Sequence, residues 1–273
     1  MSRLTSYRGL GVVVTGASSG IGRLLALRLA REGARVALVA RRKAELEAVA
    51  AEIVASGGEA LVLPCDVSER AEVEAAAQRA LQQFGAVDLL VNNAGYGHHR
   101  RFLEWDVVDM ERMMRVNYLG ALYWTKAILP QMVERRRGCV VFIASIAGKI
   151  GVPEESAYVA SKFALVGLAE SLSLEVEDAG VHVLTVCPGA VRTDFFDEEA
   201  LSRMPPVSRR SMVEPGSVVD AIVEALARGK REITVPRRFA TAYAVGALAP
   251  GLLRRGIRRS TIDTPAKTRP PTA

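Results

Sequence analysis

Tyr158 and Lys162 stand four residues apart in the run Tyr-Val-Ala-Ser-Lys. On a helix that spacing stacks the two side chains on one face and brings an ammonium beside a phenol. A free phenol titrates near ~10, so proton exchange with a substrate oxygen at neutral pH calls for a fixed positive neighbour that stabilises the phenolate. The pair reads as an acid–base couple in which Lys162 lowers the Tyr158 pKa. None of Tyr7, Tyr96, Tyr118, Tyr123 or Tyr243 has a lysine four positions later. The spacing alone recurs by chance in many chains, so its weight depends on the elements around it.

Those elements begin with Gly-Val-Val-Val-Thr (11–15), which leads directly into Thr15-Gly16-Ala17-Ser18-Ser19-Gly20-Ile21-Gly22 and then a helix of apolar period. Glycines at such a junction permit a tight turn and close backbone approach, and the helix start offers unpaired N–H groups to a pyrophosphate. Further β-branched runs lie at 35–39, 60–64, 87–91, 139–144, 181–187 and 232–235, with helical patterns between them. Repeated strand–helix alternation predicts an α/β, doubly wound, mostly parallel sheet of about seven strands with helices on both faces. Residues 1–236 read as one catalytic domain and 237–273 as a C-terminal extension.

Asn92-Asn93-Ala94-Gly95 follows the fourth strand, Ser145 the fifth, and Pro188-Gly189 the sixth. With the glycine-rich turn and Tyr158-x-x-x-Lys162, these five motifs in this order resemble the single-domain short-chain dehydrogenase/reductase family over about residues 8–236. The resemblance implies a Rossmann-like fold, a homo-oligomer of two or four chains, and hydride exchange between a nicotinamide and a carbonyl or secondary alcohol. It assigns Tyr158 as proton donor or acceptor, Ser145 as the group holding the same oxygen, Lys162 as a ribose contact, and Asn117 as the residue ordering a water chain. The dinucleotide would be held by Gly16, Ser18, Ser19, Gly20, Ile21 and Gly22, by Asn93, Ala94 and Gly95, and by Pro188, Gly189 and Val191. Asp66 and Val67 match the adenine position, and Thr193 matches a contact to the nicotinamide amide.

Cofactor choice is read after the second strand, where an acidic residue would accept from the ribose 2′-OH of NAD. Here the chain has Ala40-Arg41-Arg42-Lys43. Arg41 and Arg42 suit a 2′-phosphate, which favours NADP(H) over NAD(H), although either could instead open a solvated helix. Beyond Thr193 a lid segment carries Phe195, Phe196, Leu201, Met204, Pro205 and Pro206. These favour an apolar substrate or simply anchor the loop. His98 and His99 read as exposed loop residues near the pocket mouth, and no carboxylate spacing around them suggests a metal.

Hydrophobic residues are 49% and charged residues 24%, a composition that fits a globular enzyme. No run approaches the ~20 apolar residues of a membrane span, and residues 1–9 lack the apolar core of a signal peptide, so a cytoplasmic body is expected. Cys65, Cys139 and Cys187 read as isolated buried thiols. Net charge is +6, but residues 230–273 hold ten basic and two acidic groups, leaving the rest slightly acidic. No nucleic-acid motif accompanies that basic tail. If 252–259 is helical, Leu252, Leu253, Gly256 and Ile257 share one side and Arg254, Arg255, Arg258 and Arg259 the other. Three arrangements fit: docking on an anionic inner-membrane surface, a cap on the substrate channel, or a subunit interface. Thr264–Ala273 reads as disordered. A non-catalytic NADP(H) sensor on the same fold is the competing reading, against which the complete Ser145, Tyr158 and Lys162 set argues.

Overall fold

The structure is a computed structural model and describes residues 4–196, 198–204 and 206–261; the Thr264–Ala273 segment and Pro205 lie outside them. Seven strands form one sheet: β1 (Gly11–Thr15), β2 (Arg35–Ala40), β3 (Glu59–Pro64), β4 (Leu89–Asn92), β5 (Gly138–Ile143), β6 (Val181–Pro188) and β7 (Glu232–Val235). Their order is β3-β2-β1-β4-β5-β6-β7, and every ladder is parallel. The helices between them are α1 (Gly20–Arg31), α2 (Lys43–Ala55), α3 (Arg70–Phe84), α4 (Val107–Met114), α5 (Gly120–Glu134), α6 (Ser156–Val176), α7 (Glu198–Arg203), α8 (Pro206–Arg210) and α9 (Pro215–Arg228).

Strands buried on both faces need apolar residues at every position, and β1 is buried along its whole length. Alternate side chains then serve opposite layers. Val12 and Val14 pack with Leu25 of α1, Leu46 of α2 and Ile222 of α9. Val13 turns the other way, into the layer holding Ala77 of α3, Trp124 of α5 and Leu165 of α6. The fourth strand starts two residues later than its apolar run predicts. Asp88 is instead an entry clamp, its carboxylate accepting from the Gly11 N–H at 3.1 Å and from Arg135 at 2.7 Å.

Because the chain winds from β1 out to β3 and then returns to β4 beside β1, the carboxyl ends of β1 and β4 flank a topological switch point. Between α4 and α5, Arg115–Leu119 forms a π-helical turn, so 107–134 is one helical run with a wide turn inside it. Past β7, Arg237–Phe239 makes a 3₁₀ turn that feeds α10 (Ala240–Leu248) and α11 (Pro250–Thr261). These two helices fold back as a hairpin, close enough at Gly246 that a Cβ there would meet Leu253 at 2.8 Å.

Candidate active site

A cavity of about 1010 Å³ runs along the carboxyl edge of the sheet, from Arg41 and Arg42 at one end to Leu252 and Ile257 at the other. At the first end, Gly16 and Gly20 adopt φ of +67° and +57°, which L side chains rarely do. A Cβ on Gly16 would also lie 2.8 Å from the Asn93 amide. That amide donates to the Thr15 carbonyl at 2.9 Å, and the Thr15 hydroxyl accepts from the N–H groups of Asn93 and Ala94 at 2.9 and 3.0 Å. The β4 segment therefore braces the glycine-rich turn. Ser18, Ser19, Gly20 and Ile21 line the cavity where α1 begins, and no acidic residue sits in that first turn to compete for an anion. Gly22 does not line it; a Cβ there would strike the Gly16 carbonyl at 2.4 Å, so its role is close packing.

The two arginines part company. Arg42 donates to the hydroxyls of Ser18 at 2.9 Å and Ser19 at 3.3 Å, setting its guanidinium over the glycine-rich turn. Arg41 leans the other way, 3.9 Å from the Asp66 carboxylate. Val67 is held against the start of α5, where a Cβ on Gly120 would touch it at 2.9 Å. Gly95, Pro188, Gly189, Val191 and Thr193 line the middle of the cavity.

Tyr158 lies in the first turn of α6 and Lys162 one turn on. Lys162 is 4% exposed, and its ammonium donates to the Ile143 carbonyl at 2.9 Å and stands 5.7 Å from the Tyr158 ring centroid. The Ser145 hydroxyl accepts from the Ala147 N–H at 3.1 Å and hydrogen-bonds the Tyr158 phenol. Asn117 sits beneath this group, in the π-helical turn. Its Oδ1 accepts from the Tyr96 N–H at 3.0 Å, and its Nδ2 donates to the Tyr96 carbonyl at 2.9 Å and to Ser161 Oγ at 3.0 Å. Ser161 in turn donates to the Tyr158 carbonyl at 2.7 Å. Sequence reasoning missed Ser161 and also Gly97, where a Cβ would press on the Tyr158 ring at 2.9 Å.

By the protein's own groups, burial pushes the Tyr158 phenol above its ordinary range, the Ser145 hydrogen bond pulls it down, and the charge of Glu155 pushes it up. Burial also depresses Lys162 to about 8. Burial is thus the largest influence on the phenol in the protein alone. The ammonium donates to a backbone carbonyl, and desolvation is the largest influence on both groups.

A correction concerns His99, which the sequence places in an exposed loop. It is 8% exposed, with Nδ1 3.3 Å from the Glu155 carboxylate and its ring 6.1 Å from that of Phe196. Phe196 meets Phe195 edge-on, and Phe195 meets Tyr158. His98, half-buried, packs toward Tyr96 and Trp105. The lid thus closes an aromatic row from His99 to the reactive phenol.

The far wall is the C-terminal hairpin. Leu252, Leu253, Gly256 and Ile257, the apolar side of α11, all line the same cavity as Tyr158, while Arg254, Arg255, Arg258 and Arg259 are exposed. Phe239 fastens the hairpin to the body by lying on Gly189, where a Cβ would meet its ring at 2.8 Å. The apolar side of α11 therefore borders the cavity, the position that the channel-cap arrangement requires. Among the described residues, no group of His, Cys, Asp or Glu is placed to hold a metal ion, and Cys65, Cys139 and Cys187 are buried free thiols.

A switch-point cavity, a glycine-rich turn opening a helix, and a Ser-Tyr-Lys cluster together define a dinucleotide-dependent oxidoreductase. The family model for short chain dehydrogenases matches residues 11–203. A ketoacyl reductase, HetN, from Nostoc sp. is 33% identical over 253 residues, covering 90% of this chain and 88% of its own. The 3-ketodihydrosphingosine reductase of Bos taurus is 39% identical over 215 residues, 77% of this chain but 64% of its own. Among solved structures, a metagenomic short-chain oxidoreductase in complex with NADP superposes with a TM-score of 0.73 at 33% identity, covering 84% of this chain and 97% of that one. A short-chain dehydrogenase/reductase from Burkholderia phymatum in complex with NAD gives 0.81 at 27% identity, covering 90% and 96%. The chain belongs to the short-chain dehydrogenase/reductase family and is an NAD(P)-dependent oxidoreductase.

Proposed function

We propose that the protein is an NADPH-dependent reductase of a carbonyl group on a lipophilic small molecule, working in reverse as an alcohol dehydrogenase. The observation that carries this reading is the continuity of one cavity from Arg42, past Tyr158, to the apolar side of α11. The residues present fit a phosphorylated dinucleotide. The start of α1 and the Ser18 and Ser19 hydroxyls would take phosphate oxygens, Arg42 the 2′-phosphate, and Asp66 the adenine edge. When bound, the nicotinamide supplies the hydride for reduction.

The chain's own residues do the rest. Ser145 orients the substrate oxygen toward Tyr158, whose O–H bond breaks as the proton passes to that oxygen. A phenol raised by burial is well suited to hold its proton until substrate oxygen develops negative charge. Lys162 lies beside the ring to stabilise the phenolate left behind, and Asn117 holds the Tyr96 backbone and Ser161, fixing the path along which Tyr158 is reprotonated. Phe195, Phe196 and α11 exclude water from the reacting carbonyl. Relatives named for ketoacyl and 3-ketodihydrosphingosine reduction support a ketone on a long apolar chain. We assign residues 1–236 to the catalytic unit, completed by 237–261, and place it as a homo-oligomer in the cytoplasm or at the inner membrane surface.

The test is NADPH and NADH consumption with a series of ketones of increasing chain length. Faster turnover with NADPH and a KM that falls with chain length is expected. Equal use of the two dinucleotides would overturn the cofactor assignment, and a flat length dependence the substrate class.

A further inference from the structure

Seven of the eleven large apolar side chains most exposed among the described residues fall in two short segments: Phe102, Leu103, Val107 and Val108 after β4, and Val245, Leu248 and Leu252 in the C-terminal hairpin. Leu103 is 94% exposed and Leu248 87%. Both segments follow carboxyl ends of parallel strands, β4 and β7, and so lie on the same edge of the sheet. The two strands stand three spacings apart in the sheet, roughly 14 Å. The lid joins them: Arg203 of α7 reaches Glu104, in the first segment, at 3.2 Å, while Phe196 and Met204 of the lid line the cavity alongside Leu252 and Ile257. The second patch therefore borders the cavity directly, through Val245 and Leu252, and the first is tied to it through the lid.

Charge is distributed unequally between them. Arg254, Arg255, Arg258 and Arg259 are exposed on α11, and none makes an ion pair with a described residue. Around the first patch, Arg100, Arg101, Arg112 and Arg115 balance Glu104, Asp106, Asp109 and Glu111. Such a surface has one cationic lobe and one neutral apolar lobe. An acidic protein would satisfy the arginines but would set charged groups against Phe102 and Leu103. A bilayer offers anionic headgroups to the first lobe and an apolar layer beneath them to the second. No helix among the described residues is long and apolar enough to cross a membrane, which leaves attachment at one face.

We propose that this edge of the protein docks on an anionic lipid bilayer through both patches, so that the cavity mouth opens onto the lipid and an amphiphilic ketone reaches Tyr158 from the membrane. The route for substrate rests on the reductase reading above; the docking itself does not. Co-sedimentation of the full chain with phosphatidylglycerol–phosphatidylcholine vesicles, against phosphatidylcholine alone, tests it. Binding to the anionic vesicles only, released by salt, is expected. Reversing the four arginines (R254E, R255E, R258E and R259E together) should weaken it by about a hundredfold or more, since each basic group at such a surface contributes ~1 kcal/mol. Phe102→Ser with Leu103→Ser should weaken it several-fold while leaving its salt dependence. A wild-type chain that stays in the supernatant with anionic vesicles at low salt overturns the proposal. So does a Phe102/Leu103 variant that binds like wild type, because the surface would then be a cationic face suited to an acidic macromolecule. Turnover of short and long ketones in detergent solution is measured on every variant; no turnover of either by the wild type would sink the reductase reading and leave the vesicle result standing.

Discussion

At the dinucleotide end of the cavity the contacts are made by backbone and by small polar side chains braced on neighbouring strands, whereas the substrate end is walled by large apolar side chains on the lid and the C-terminal hairpin. Gly16 tolerates no Cβ because the Asn93 amide fills that space, and Thr15, Asn93 and Ala94 are locked together by three hydrogen bonds. Phe195 and Phe196 stack edge-on against each other and Phe195 against Tyr158, while Ile257 lines the same cavity. One end is built for a ligand of fixed shape. The other can be resized by exchanging a single side chain, so specificity can change there without disturbing the cofactor site.

The sharpest way to break this division is Tyr158→Phe, where the two ends meet. It keeps the ring against Gly97 and Phe195 but removes the transferable proton, so turnover should fall by ~10²–10⁴-fold with dinucleotide affinity unchanged. Steady-state kinetics with a cofactor titration checks both halves of that statement. At the rigid end, Arg42→Asp should weaken NADPH about tenfold to a hundredfold, the range of charge-assisted hydrogen bonds, with NADH far less affected. Arg41→Asp should do less, because its partner in the structure is Asp66. Isothermal titration with both dinucleotides decides, and equal losses for the two would move Arg42 from phosphate recognition to general folding.

Lys162 tests whether function is held at the expense of stability. Its pKa falls from 10.5 unfolded to about 8 in the fold. The unfolded chain therefore binds the extra proton between those values, and stability rises with pH across that window. Lys162→Met should be inactive yet more stable at pH 7. The ammonium's burial costs up to about 3 kcal/mol, less about 1 for the Ile143 carbonyl left without its donor. Denaturant unfolding from pH 7 to 10.5 should show the gap narrowing; a gap that widens refutes the burial argument. The smallest effect belongs to the adjustable end. Ile257→Ser should raise KM for long-chain ketones by about tenfold or less and leave short ones untouched, as expected for loss of one aliphatic contact.

Much of the rigid end was legible in advance because its signals are local. Each of the seven strands coincides with an apolar run, and the glycine-rich turn, Asn93, Ser145 and Pro188-Gly189 each lie at or just past a strand end. The adjustable end depends on partners remote in the chain. Nothing near His99 announces Glu155, so a buried pair reads as an exposed loop. The amphipathic pattern of α11 states that one side seeks apolar cover but not whose, and contacts far along the chain, such as Phe239 on Gly189, bring that side to the cavity. For a related reason, helical spacing specifies which face Lys162 occupies, not that the Ile143 carbonyl takes its ammonium or how deeply both groups are buried.

The π-helical turn at Arg115–Leu119 makes the geometry of this site a matter of counting. A regular helix advances about 100° per residue, and the wide turn absorbs the surplus that lets α4 and α5 both pack while Asn117 faces Tyr96. Removing any one residue from that stretch would let 107–134 close into an even helix, rotating everything before it by that angle and carrying the Tyr96 loop out of register with Tyr158. A substitution at Asn117 forfeits hydrogen bonds; a one-codon deletion beside it rephases the whole catalytic floor. This stretch should therefore vary in its letters more readily than in its length.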